Sequence, residues 1–80
     1  MRYEVTTKLS PQQALDYAKD YFGPQGVGLE VIDEEETSVT LQGGGGHVFV
    51  LACPGAKKTT LELETREWDY PVRQFMQRLS

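Results

Sequence analysis

Two carboxylates, Glu62 and Glu64, alternate with apolar residues near the end of the chain. On a strand they would project to one face about 7 Å apart, a spacing at which paired carboxylates can transfer protons. Glu4 and Glu30 would share that face, and Arg66 is a same-face ion-pair partner for Glu64. Acid-base chemistry needs a cleft that desolvates one carboxyl group, and the side of a sheet that faces water offers none. The alternation therefore indicates the solvated side of a sheet.

The single histidine, His47, and the single cysteine, Cys53, are the other reactive side chains. A zinc site would need two or more carboxylates from elsewhere, and no metal-ligand spacing is present. Six residues apart on one strand, the two side chains would be separated by about 20 Å. We therefore predict no metal, no cofactor and no catalytic pair. His47 is interpreted as an ordinary residue at a loop edge and Cys53 as a small buried hydrophobe.

The most unusual motif is a run of four glycines, Gly43, Gly44, Gly45 and Gly46, directly before His47. A phosphate-binding loop needs spaced glycines ahead of Lys-Ser/Thr at a helix start, whereas this run lies between two predicted strands. It is typical of a flexible hairpin loop or of a sheet edge bent by a bulge. Glycine would also leave room for another backbone or a ligand, so these five residues are candidate contact residues.

Trp68 and Tyr70 form an aromatic pair between the last predicted strand and the last predicted helix. The interpretation we favour is that they close the end of the core. The alternative is an exposed contact site, because Trp and Tyr dominate interface energetics. Both residues therefore join the candidate contact residues.

The period of the apolar residues predicts the elements that carry these side chains. Tyr3, Val5 and Thr7 alternate as in a strand, and Ser10-Pro11-Gln12-Gln13 is typical of a capped helix start. That helix ends at Gly23-Pro24. Two further strands follow, over 27–32 and 38–42, with a polar turn over 33–36 between them.

The second half of the chain begins with a strand that is apolar on both faces, over 47–53, a pattern typical of the middle of a sheet. Cys53-Pro54-Gly55-Ala56 fits a type II turn, which needs a positive φ at Gly55. A strand over 60–66 follows, and an amphipathic helix behind Pro71 closes the chain.

The element order β-α-β-β-β-β-α predicts one α+β domain over residues 1–80. Topology rules give a five-stranded antiparallel sheet with strand order 2-3-4-5-1, with both helices on one face in a two-layer sandwich. The arrangement is similar in outline to a reduced helix-grip domain, in which a curved sheet wraps a C-terminal helix. That resemblance concerns the fold and implies no function.

Composition narrows the classes of function. The 80 residues carry 12 acidic and 8 basic side chains, and no Lys or Arg lies between Lys19 and Lys57. Binding to nucleic acid or to an anionic membrane is therefore not expected. No apolar run approaches about 20 residues, no secretory signal is recognisable, and the lone cysteine suits a reducing compartment. We expect a cytoplasmic protein.

The strand over 47–53 motivates the functional hypothesis. If both helices cover one face, half of its apolar side chains are left on the other, where a second copy would bury them. We therefore expect a non-catalytic interaction or regulatory module that acts as a homodimer, or that binds a protein partner. The alternative is a binder of a small apolar ligand between sheet and helices. An enzyme that uses His47 or the Glu62/Glu64 face is not expected.

Overall fold

The chain forms, in order, one strand, one helix, four strands and one helix, as the sequence predicts. A computed structural model describes residues 1–79. The elements are β1 (Arg2–Thr7), α1 (Pro11–Phe22), β2 (Glu30–Glu34), β3 (Ser38–Gly43), β4 (Gly46–Pro54), β5 (Thr59–Arg66) and α2 (Asp69–Leu79). No helix within residues 1–79 is long and apolar enough to cross a lipid bilayer.

Helix α1 starts with the predicted capping box. The backbone N–H of Gln13 donates to Ser10 Oγ at 3.2 Å, and the backbone N–H of Ser10 donates to Gln13 Oε1 at 3.0 Å. Pro11 occupies the first helical turn, where no intrahelical donor is lost. The start of α1 is therefore specified by local interactions alone.

The five strands form one antiparallel sheet in the order β1-β5-β4-β3-β2, which confirms the predicted strand order and the α+β class. Strand β4 lies in the centre, where Val50 pairs with Val39 of β3 and Leu63 of β5. Strand β1 is paired only with β5, and β2 only with β3, so these two are the edges of the sheet.

One side of the sheet faces the core. In β4 the side chains of Val48 and Val50 are fully buried. Both helices contribute to the same core, and the rings of Phe22 in α1 and Phe75 in α2 lie 4.9 Å apart. The two helices therefore pack into one core. The core consists of Ala14, Leu15, Ala18, Phe22, Leu29, Val39, Leu41, Val48, Val50, Ala52, Leu61, Leu63, Val72 and Phe75.

Strand β2 starts three residues later than predicted. The residues before it cap α1 instead of pairing in the sheet: the N–H groups of Val27 and Leu29 donate to the carbonyls of Tyr21 and Phe22, each at 2.9 Å. Carbonyls at the end of a helix have no partner within the helix, and this segment satisfies two of them. Strand β2 also continues to Glu34, so the turn that follows it is shorter than predicted.

The predicted type II turn at Cys53–Ala56 is wrong. Strand pairing continues through Pro54, which lies opposite Thr59, so the chain reverses only afterwards. The N–H of Gly55 donates to the carbonyl of Lys58 at 2.9 Å, and Gly55 does not adopt a positive φ. The extra pairs of the β4–β5 ladder therefore displace the turn toward Lys58.

Candidate functional site

The predicted site residues on β4 and β5 lie on the side of the sheet that faces away from the core. We call this side the open sheet face. The register aligns its side chains in rows: His47 lies opposite Arg66, Phe49 opposite Glu64, Leu51 opposite Glu62, and Cys53 opposite Thr60. Strand β1 extends two of these rows, with Arg2 opposite Glu64 and Glu4 opposite Glu62.

Two apolar side chains occupy the centre of the open sheet face. Phe49 and Leu51 are two residues apart on the central strand, and both are only half-buried. Together with Arg2, Glu62 and Glu64 they line a shallow concavity of about 280 Å³. Half of the apolar side chains of β4 thus lie outside the core, as the two-faced pattern of this strand predicts.

Charge is distributed unevenly along the rows of this face. Glu64 contacts two side chains, with its Oε1 3.2 Å from His47 Nε2 and its Oε2 3.7 Å from the Arg2 guanidinium Nε. These contacts replace the pairing with Arg66 that the sequence suggested. Basic groups therefore lie toward the end of the face that contains His47, whereas Glu62 and Glu4 lie in the row beyond.

Cys53 differs from its prediction, because its side chain lies half-exposed on the open sheet face and not in the core. Its Sγ donates to Glu62 Oε2 at 3.5 Å. Partial burial raises the pKa of the thiol, and the neighbouring Glu62 carboxylate raises it further. The thiol therefore stays protonated at neutral pH and is a poor nucleophile.

The geometry offers no catalytic combination of His47 with Cys53. They lie at opposite ends of β4, and the β4–β5 register runs between them without a bulge. Within the described residues 1–79, no three His, Cys, Asp or Glu side chains converge as metal ligands would. The Glu62/Glu64 pair lies on a half-exposed face, where the two carboxylates contact Cys53, Arg2 and His47.

The glycine run forms a tight hairpin turn between β3 and β4. Gly43 and Gly46 are the last paired residues, and Gly44 and Gly45 form the turn with φ of 57° and 82°. Two successive positive φ values identify a type I′ turn, whose twist matches that of the flanking strands. The loop is thus shorter and more regular than the flexible loop or bulged edge that was predicted.

The connection between β5 and α2 packs against this turn. A Cβ atom on Gly44 would lie 2.8 Å from the ring of Trp68, and one on Gly46 would lie 2.0 Å from the carbonyl oxygen of Arg66. The predicted close approach of another backbone is therefore made by the chain itself. In this connection Glu67 adopts a positive φ of 76°, which no sequence feature indicated.

The two aromatic candidates have different environments. Trp68 is half-buried, packs against the core and donates its indole N–H to the carbonyl of Gly43 at 2.9 Å. Tyr70 is 68% exposed. Trp68 thus closes one end of the core as predicted, whereas Tyr70 projects into solvent.

A contact that the sequence did not suggest joins β1 to the start of α2. The hydroxyl of Tyr3 donates to Asp69 Oδ2 at 2.7 Å. This hydrogen bond raises the pKa of the Tyr3 phenol, with further contributions from partial burial and from the negative charge of Asp69. The residues are 66 positions apart, so only the β1–β5 pairing makes them neighbours.

Comparison of the sequence with protein-family models and with curated proteins returns no match. The function therefore has to be inferred from the surfaces described above. The open sheet face is the candidate that the residues favour most, because it combines half-exposed apolar side chains at its centre with charged groups around them.

Proposed function

We propose that this protein is a non-catalytic interaction module of the cytoplasm that forms a homodimer through its open sheet face. The observation that carries the proposal is the position of Phe49 and Leu51, two residues apart on the central strand, on the same face and incompletely buried. Apolar side chains in the middle of a surface, surrounded by polar ones, are typical of a protein interface. The arrangement of charges on this face favours a second copy of the chain as the partner.

The outer charges of the open sheet face, on β1, are complementary under a two-fold axis. A two-fold axis that passes between Phe49 and Leu51, perpendicular to the strands, would place Phe49 of one copy over Leu51 of the other. The same operation would place Arg2 of one copy over Glu4 of the other, since these residues lie in the rows of Phe49 and Leu51. Glu64 would approach Glu62 of the other copy, and the Arg2 guanidinium 3.7 Å from Glu64 offsets part of that repulsion.

Pairing of two copies through the edge strand β2 is less favourable. Glu30, Asp33 and Glu34 are exposed on this short strand, and a register shift interrupts it between Val31 and Asp33. Like charges directly opposite each other destabilise a strand pair, and an irregular edge discourages pairing. We therefore assign self-association to the face of the sheet and not to its edge.

The size of the open sheet face sets the expected strength of the dimer. Five strands spaced by about 4.8 Å and about six residues long span roughly 24 by 20 Å. The resulting area of roughly 480 Å² per copy is below the standard of about 800 Å² per partner. We therefore expect a reversible dimer with a dissociation constant in the micromolar range.

Sedimentation velocity between about 1 and 200 μM protein tests the proposal, since a micromolar dimer dissociates within this range. The wild type should shift from monomer to dimer as concentration rises. The double variant Phe49→Thr/Leu51→Thr, which places β-branched residues suited to a strand at both positions, should stay monomeric. Tyr70→Ser, which removes an exposed aromatic elsewhere, should dimerise like the wild type.

Circular dichroism and thermal unfolding establish that each variant is folded. A wild type that stays monomeric over the whole range would refute self-association. A double variant that dimerises as strongly as the wild type would refute the assignment to the open sheet face. The alternative function was the binding of a small apolar ligand between the sheet and the helices. It has no comparable support, because the rings of Phe22 and Phe75 fill that layer.

A further inference from the structure

A hollow of about 590 Å³ lies where β1 ends, and neither Phe49 nor Leu51 lines it. Its wall combines the β1–α1 loop, the side of α1, the β4–β5 loop and the last turn of α2. Three cationic side chains and three apolar ones characterise it: Lys8, Lys58, Arg78, Leu9, Tyr17 and Leu79. Its volume is in the range of about 300–1,000 Å³ that is typical of small-molecule sites.

The charge of this hollow is opposite to that of the chain. The protein has a net charge of -4 and 8 basic residues, yet three of these line the hollow and no Asp or Glu does. Within residues 1–79, no carboxylate lies within 4 Å of Lys8, Lys58 or Arg78, although Lys19 is 2.7 Å from Glu34. The described part of the chain therefore leaves a cluster of positive charge without a counter-ion.

The register of the sheet explains why two lysines meet here. Thr7 lies opposite Thr59 at the end of the β1–β5 ladder. Lys8 follows the first residue of that pair and Lys58 precedes the second, so their backbones leave the ladder side by side. Both lysines line the hollow, so a bound anion would offset their positive charge.

Two carboxylates of α1, Asp16 and Asp20, lie near the hollow but do not line it. Asp16 on α1 accepts a hydrogen bond from Gln12 at 2.9 Å and lies 3.5 Å from Lys19 Nζ. Asp20 lines a separate depression next to the hollow and forms no ion pair with Arg78. The guanidinium of Arg78 instead lies 5.6 Å from the centre of the Tyr21 ring, a cation–π contact that keeps it at the rim.

The wall of the hollow is held in place by hydrogen bonds and packing. Thr59 Oγ1 donates to the carbonyl of Leu9 at 2.7 Å, and the N–H of Leu9 donates to Thr7 Oγ1 at 3.3 Å. The ring of Tyr17 packs against Phe75 with 5.5 Å between ring centres. Binding of a ligand would therefore cost little free energy for ordering the wall.

We propose that this hollow binds a small organic anion, a carboxylate or a phosphate monoester attached to an apolar body. The anionic group would lie between Lys8 and Lys58, because the carbonyl groups at the C-terminal end of α2 disfavour negative charge beside them. The apolar body would contact Leu9, Tyr17 and Leu79. This binding is independent of the proposed dimer, whose central residues Phe49 and Leu51 do not line the hollow.

Titration of ¹⁵N-labelled protein by NMR tests the proposal with octanoate, octyl phosphate, 1-octanol and inorganic phosphate as probes. Octanoate or octyl phosphate should shift the amide signals of Thr7, Lys8, Leu9 and Lys58 saturably. The comparison of these two probes decides between a carboxylate and a phosphate head group. Octanol, which lacks the charge, and inorganic phosphate, which lacks the apolar body, should bind at least about tenfold more weakly.

The double variant Lys8→Gln/Lys58→Gln should weaken binding of the octyl anion by about tenfold or more, which corresponds to a loss of charge-assisted contacts. Lys57→Gln removes a neighbouring charge that does not line the hollow and should leave binding unchanged. All three side chains are exposed, so these variants should fold. Equal binding of octanol and octanoate, or unchanged binding by the double variant, would overturn the proposal. Phe49→Thr/Leu51→Thr should bind normally, which separates this result from that of the dimer test.

Discussion

The indole N–H of Trp68 donates a hydrogen bond to the carbonyl oxygen of Gly43, with 2.9 Å between the two atoms. This bond joins the β3–β4 turn to the connection between β5 and α2, two segments 25 positions apart. The indole ring also lies directly over Gly44. Trp68 is the only tryptophan, so its fluorescence reports on this junction.

Replacing Trp68 by Phe keeps an aromatic ring but removes the indole donor, so the hydrogen bond to the Gly43 carbonyl is lost. We expect the free energy of unfolding to fall by about 1–3 kcal/mol, the cost of one hydrogen bond plus the packing lost with the smaller ring. Urea unfolding followed by circular dichroism measures this change. Tyr70→Phe, at an exposed position, is the control and should leave stability unchanged. An unaltered unfolding midpoint for Trp68→Phe would show that the hydrogen bond contributes nothing.

The glycines of the turn should differ in their tolerance of alanine. At Gly45, with φ of 82° and open space around it, only the left-handed backbone opposes a Cβ, at a cost of about 1 kcal/mol. At Gly46, a Cβ would lie 2.0 Å from the Arg66 carbonyl, so the backbone has to move. We expect Gly46→Ala to cost about 2 kcal/mol or more, as overpacking of a tight site does. Equal unfolding midpoints for the two variants would contradict this order.

Tyr3 should make stability depend on alkaline pH. Its pKa is raised in the folded state, chiefly by the hydrogen bond to Asp69, so the folded protein holds the phenol proton more tightly than the unfolded chain does. The contribution is complete below the unfolded pKa of about 10 and is lost as pH rises through the higher folded pKa. The stability difference between wild type and Tyr3→Phe should therefore shrink over this interval in urea titrations. A difference that stays constant across this interval would argue against the linkage.

Local sequence signals predicted much of the fold. Ser10, Pro11 and Gln13 specify the start of α1 through contacts within one helical turn, and the two-faced apolar pattern of β4 indicates its central position. The errors arose where distant segments compete for the same backbone groups. The carbonyls at the end of α1 accept hydrogen bonds from Val27 and Leu29, which have the alternating pattern of a strand. Continued pairing of β4 with β5 displaces the turn that was expected after Cys53.

The candidate sites were predicted less completely, because they depend on register. The sequence indicated an apolar stripe outside the core but did not indicate that Arg2 and His47 would share Glu64, since both contacts cross between strands. Cys53 was expected in the core, although the alternation of β4 places it with Phe49 and Leu51. The basic residues looked scattered along the chain, and only the Thr7–Thr59 pairing brings Lys8 beside Lys58.

The pairing of β1 with β5 determines when the sheet can be completed during synthesis. Leu9, just after β1, and Thr59, at the start of β5, are 50 positions apart, whereas β2 to β5 pair with neighbours in the chain. On the ribosome the first strand therefore emerges long before its partner, and a nascent chain that lacks β5 cannot bring the two lysines together. Pairing of strands that are distant in the sequence is slow, so the pairing of β1 with β5 is the slow step of folding.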